Sequence, residues 1–163
     1  MNRNCNEGES CPIPEMAAAR NCTAELLDEL HRNVTMGTES ITDVLPKVKT
    51  KELTEFLTSQ LNDYAKYSAE IKKQMEECGG EIKGTGIMTK MSAKIGIEMN
   101  TLKDSSDEHI AEMIIEGTTM GITDTIRLVR DYENSNCSEQ ALSLARRIVS
   151  FQERSVEKAK SFL

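Results

Sequence analysis

Apolar residues recur at steps of three and four along most of this chain, the spacing that lines one face of an α-helix. The first stripe is Leu27, Leu30, Val34, Gly37, Ile41 and Val44, and it stops at Pro46. It predicts a helix over about 22–45, with Asn21 or Thr23 as cap and Glu25 and Asp28 in the first turns, where carboxylates suit the helix dipole. Leu53, Leu57, Gln60, Tyr64, Tyr67, Ile71, Met75 and Cys78 predict a second helix over 51–78, stopped by Gly79-Gly80. Met88, Met91, Ile95, Met99 and Leu102 predict a third over 87–102. After the capping cluster Asp104-Ser105-Ser106, the stripe Ile110, Ile114, Gly117, Gly121, Thr125, Leu128, Tyr132 predicts a helix over 107–132. A last helix over 138–162 follows the turn Asn134-Ser135-Asn136, with Ala141, Ala145, Ile148, Gln152, Ser155, Ala159 and Phe162 on one face.

The first two helices, and the last two, are joined by a few residues each, so each pair should form an antiparallel hairpin. An internal echo supports two copies of one hairpin. Thr35-Met36-Gly37 in the first helix matches Thr119-Met120-Gly121 in the fourth, and Leu57 to Glu70 can be laid on Leu144 to Glu157. The segment between the hairpins carries the helix at 87–102, which at 1.5 Å per residue reaches roughly 24 Å, most of the length of a bundle. The expected fold is all-α: a four-helix bundle of two duplicated αα-hairpins with an extra crossover helix. Residues 1–20, polar and broken by Pro12 and Pro14, read as a tail, and 21–163 as one domain.

Composition narrows the picture. The chain of 163 residues is long enough for a single core. Aromatic residues make up 4% and there is no Trp, which disfavours a β-rich fold. A formal net charge of −7 argues against general attraction to nucleic acid or an anionic membrane. No apolar run approaches the roughly 20 residues of a membrane span, and the polar start carries no signal-like apolar core. The expected location is the cytoplasm, where the five cysteines should be mostly reduced thiols or metal ligands.

The layout resembles the ferritin-like superfamily, including the rubrerythrin-related and uncharacterised bacterial bundles, over about residues 22–162. The resemblance implies a di-iron site made of a Glu from the first and third bundle helices and a Glu-x-x-His pair from each of the others. The residues depart from that pattern. His31 and His109 lie on the first and fourth predicted helices, while Ala65, Ser68, Gln152 and Ser155 stand where the Glu-x-x-His ligands would be. Helical phasing at about 100° per residue turns Glu25, Asp28, Glu29, Glu39 and Asp43 outward, along with Glu112 and Glu116, and leaves only Asp124 near a core stripe. His109 with Glu112 and Glu116 reads as a solvated face.

In place of ligands, a polar layer is expected at mid-bundle: Gln60, Tyr64, Tyr67, Ser68, Asp124, Gln152 and Ser155, with Gly37, Gly117 and Gly121 leaving room opposite. Such a layer fixes register, and it could also line a small cavity. The cysteines suggest a second place for chemistry. With the helices running up, down, down and up, Cys22, Cys78 and Cys137 come to one end, and Cys5 and Cys11 lie in the tail attached there. These five are the candidate metal ligands, for zinc or iron, and the same thiols could form a redox-active disulfide. Cys78 reads as a small core residue, and Cys137, ahead of a helix N-terminus, as the most reactive thiol. No catalytic residue or cofactor-binding motif emerges. The methionine face of the crossover helix suggests a homo-oligomer. The leading expectation is a non-catalytic structural or interaction protein; a thiol or metal protein built on the cysteine pole, and a ferritin-like iron-binding oxidoreductase, stay open beside it.

Overall fold

A computed structural model describes residues 14–83 and 106–163. Among these residues four long helices and no strand occur: α1 Pro14–Val44, α2 Lys51–Glu77, α3 Asp107–Tyr132 and α4 Glu139–Ala159, with short 3-10 turns at Leu45–Lys47 and Lys160–Phe162. Three of the four helices lie within a few residues of the bounds that the apolar stripes predict. The first begins earlier. Pro14 starts α1, so residues 14–20, expected in the tail, are helical. Proline is tolerated in a first helical turn, and Ala17, Ala18 and Ala19 favour the helix that follows. The predicted crossover helix at 87–102, with the methionine face expected to join subunits, lies outside the described residues, as do Cys5 and Cys11.

Helix ends show how the four rods are arranged. At one pole, Ser138 N–H donates to Thr23 Oγ1 at 2.9 Å, so α4 starts beside the third turn of α1. Gly80, just past α2, lies so close to Ala24 that a Cβ there would come within 3.1 Å of the alanine Cβ. At the other pole, the Asp107 carboxylate accepts the N–H groups of Lys49 and Thr50 at 2.8 and 2.7 Å, which sets the start of α3 against the start of α2. Phe56 stacks on Phe162 there, with ring centroids 5.5 Å apart. Slight burial raises the Asp107 carboxyl, but the Thr50 and Lys49 hydrogen bonds together outweigh it and hold the group below its ordinary range. Helix α1 therefore runs from the first pole to the second, α2 and α3 return, and α4 runs beside α1's direction. The sides of the square are α1/α2, α3/α4, α1/α3 and α2/α4.

The core is aliphatic at both ends. Leu26, Leu27, Leu30, Leu53, Leu57, Ile71, Met75, Ile110, Leu144 and Ile148 are all almost fully buried. Side chains of this size each contribute about 1.5–3 kcal/mol through burial, so the stripes account for the assembly of the four helices. No helix among the described residues is long and apolar enough to cross a membrane.

Candidate functional site: the polar middle layer and the α1/α3 cavity

Halfway along the bundle the aliphatic core gives way to amides and hydroxyls. Gln152, 2% exposed, reaches inward from α4. Its Nε2 donates to Asn33 Oδ1 at 2.8 Å and to the Tyr64 hydroxyl at 3.3 Å. Asn33 Nδ2 in turn donates to the Gly121 carbonyl at 2.9 Å and to Thr125 Oγ1 at 3.1 Å. These bonds join all four helices. They also fix the amides' orientation, because the Gly121 carbonyl can only accept. Asn33 must therefore present its NH₂ to Gly121 and its oxygen to Gln152, and Gln152 must answer with its own NH₂. The remaining oxygen, Gln152 Oε1, is buried and has no partner among the described residues. Gln60 Oε1, on the adjoining turn of α2, is in the same state. Burial raises the Tyr64 hydroxyl, against a smaller opposing effect of the Gln152 hydrogen bond, so the group stays a neutral phenol at physiological pH.

The glycines of the echo take different parts in this layer. A Cβ on Gly37 would meet Tyr64 Cζ at 2.6 Å, so that glycine is what lets the phenol reach across the core. A Cβ on Gly121 would come to 3.1 Å from Asn33 Nδ2 and 3.2 Å from Gln152 Nε2. Gly117 has nothing within 4 Å of the same position among the described residues. It faces a cavity of about 260 Å³ between α1 and α3, with Tyr64, Asn33 and Gln152 at its inner end. Met36, Met113, Met120, Ile114 and Leu128 are among its apolar walls, and Glu29, Arg32, Glu116 and Asp124 stand around it.

Of the residues expected in the layer, Gln60, Tyr64, Gln152 and Ser155 are buried. Tyr67 and Ser68 are half-buried at the α2/α4 edge, where the Tyr67 hydroxyl donates to the Arg147 carbonyl at 3.3 Å and its ring packs on Phe151 at 5.3 Å. Asp124 is not in the layer. Its side chain is 62% exposed and pairs with Arg127 at 3.3 Å, and the neighbouring Thr125 turns inward instead. Asn33 is not among the residues that the sequence pattern marks. It lies three residues after Leu30 and four before Gly37, which puts it on the edge of the stripe that faces α3.

One acid departs from its expected outward position. Asp28 is only 6% exposed, because the chain leaving α2 crosses over it. Its carboxylate accepts the Lys83 N–H at 3.2 Å and the Arg32 guanidinium at 2.9 Å. His31 is half-buried, with Nδ1 unpartnered. Burial, then the Lys72 charge, lower its pKa against a weaker opposing effect of Asp28. His109 Nδ1 lies 3.1 Å from Glu112 Oε2 on an exposed face. Among the described residues no group of three or more His, Cys, Asp or Glu side chains is placed to hold a metal ion.

At the first pole Cys22 and Cys137 form a disulfide, with Cα atoms 5.3 Å apart. Of the states expected for these cysteines this pair takes the disulfide, which leaves Cys137 without the free thiol that its place ahead of a helix suggested. The third turn of α1 and the residue ahead of α4 meet within bridging distance. As a disulfide the pair offers no thiolate to zinc or iron. Cys78, at the same pole, is free and half-buried, with its Sγ 3.1 Å from the Met75 carbonyl.

No known protein family matches the sequence, and neither does any curated protein.

Proposed function

We propose that this protein is a ferritin-like bundle whose centre serves packing and register instead of metal chemistry, and that it acts as a non-catalytic structural or interaction protein. The observation that carries this reading is the hydrogen-bonded chain Thr125–Asn33–Gln152–Tyr64. Every member is neutral. A pair of iron ions needs carboxylates to balance its charge, and amides and a phenol held protonated do not supply them. The up, down, down, up order of the helices supports the ferritin-like ancestry, as does the echo between α1 and α3.

Anaerobic incubation of the full chain with ferrous iron, then desalting, exposure to air and metal analysis, tests the reading. The expected result is no iron retained at the bundle centre. Retained iron that a Gln152→Leu variant fails to hold would overturn it.

The Cys22–Cys137 bridge favours a second reading, a thiol redox role at the first pole. A persistent disulfide suits an oxidising compartment, whereas in a reducing one such a bond is transient. Acid quenching of cells followed by thiol alkylation decides between them. A bridge that opens and closes with growth conditions supports the redox role, and a bridge always closed, or always open, removes it.

A further inference from the structure

We propose that the cavity between α1 and α3 is a binding site for a small uncharged molecule with an apolar body and a single hydroxyl or amide group. Four observations converge on that chemistry. The first is size. A cavity of about 150 Å³ takes up benzene, so the roughly 260 Å³ here accommodates a body of about ten non-hydrogen atoms. The second is the walls, which are rich in methionine, a side chain that adapts to varied apolar shapes.

The third is the inner end. Gln152 lines the cavity. Tyr64, beside it, accepts from Gln152 and has no acceptor for its own proton among the described residues. One hydroxyl or amide oxygen on a ligand can accept that proton. An unmet buried donor of this kind is costly, so a ligand that satisfies it gains affinity. The fourth is Gly117. A glycine inside a helix costs about 1 kcal/mol relative to alanine. Gly37 and Gly121 are explained by the side chains pressed against them, whereas no described residue presses on Gly117.

Charge selects the ligand class. The inner end is neutral, so an ion seated there would lose hydration without a counter-charge. The surround holds Glu29, Glu116 and Asp124 against Arg32, which already pairs with Asp28 and Glu29 at 2.9 and 2.8 Å. Carboxylates are thus repelled at the entrance and unpaired inside.

The test is calorimetric titration of the full chain with octan-1-ol, octanoate and octylamine. The expected result is saturable binding of the alcohol, at least roughly tenfold tighter than the carboxylate and tighter than the amine. Gly117→Leu, which grows a side chain into open space, should weaken alcohol binding by at least tenfold while the unfolding curve shows a folded protein. Tyr64→Phe should weaken the alcohol by roughly tenfold, and heptane binding should stay unchanged. Absence of saturable alcohol binding, equal binding of octanoate, preferred binding of octylamine, or indifference to Gly117→Leu would each overturn the proposal. So would alcohol binding that appears only after Met91→Ser and Met99→Ser, since this chain's own segment would then be the occupant.

Discussion

The two hairpins meet along two seams, and the seams are built on opposite principles. Along α2/α4 the helices are held apart by rings. Tyr64 meets Phe151 edge-on at 5.1 Å, Tyr67 packs on the same ring, and an ion pair between Arg147 and Glu70 closes the outer edge. Along α1/α3 there are glycines where α2/α4 has rings. The backbones approach closely enough for Asn33 to bond the Gly121 carbonyl, and a cavity is left beside them. Because α1 echoes α3 and α2 echoes α4, each seam joins corresponding helices. One seam is filled and the other leaves open space, with Tyr64 and Gln152 shared between them. Burial of large apolar side chains stabilises the first seam, and directional hydrogen bonds specify the second.

The largest expected effect comes from removing what ties the hairpins together independently of either seam. The Cys22–Cys137 bridge spans 115 residues of sequence, and closing a loop of that length stabilises by about 5 kcal/mol in the chain-entropy account. Reduction, or the Cys22→Ser/Cys137→Ser variant, should lower the unfolding free energy in urea by about that amount. Hydrogen exchange on the reduced protein should then show amides of α1 and α3 exchanging before those of α2 and α4. Simultaneous exchange of all four would mean that the seams are equivalent.

Next comes the ring seam itself. Phe151 is 6% exposed and touches both tyrosines, so Phe151→Ala should cost about 3–5 kcal/mol. Met113→Ala, at the wall of an existing cavity, should cost only about 1 kcal/mol. Similar losses for the two in chemical denaturation would erase the contrast.

The smallest effect is a pH slope. The His31 pKa is lowered from 6.5 in the folded state, chiefly by burial. The unfolded chain therefore binds the proton more readily, and this contribution is fully present above about pH 6.5 and is lost as pH falls through the lower folded value. His31→Gln should flatten the part of the stability–pH curve just below pH 6.5, measured by denaturant midpoints, and leave the neutral-pH seams as they are.

Much of this architecture is legible in the sequence, for a physical reason. Periodicity alone marks the buried face of a helix, so Leu53 to Met75 and Ala141 to Ala159 announce α2 and α4 directly. The short and long connections then order the helices. The site is less legible. Tyr64 and Gln152 fall on stripes and are found, but Asn33 sits at a stripe's edge, and only the approach of α3 at Gly121 turns it inward. Asp124 and Thr125 are neighbours about 100° apart on α3, so a small rotation of the helix decides which is buried. Asp28 looks exposed by phase and is covered by a loop, which no helical pattern records. The cysteine bridge needs a distance between a turn inside α1 and the start of α4, whereas topology supplies only a shared pole.

The central claim is that the α1/α3 seam is filled by polar side chains at one glycine and open at another. Placing the same methyl group at each glycine tests it most directly. Unfolding free energies of Gly37→Ala and Gly117→Ala, measured side by side, should move in opposite directions. The first should fall by about 1–2 kcal/mol, as the clash with Tyr64 outweighs the gain in helix propensity. The second should rise by about 0.5–1 kcal/mol, from that propensity alone. A rise for both would mean that Tyr64 does not press on Gly37, and a fall for both that the space at Gly117 is already taken.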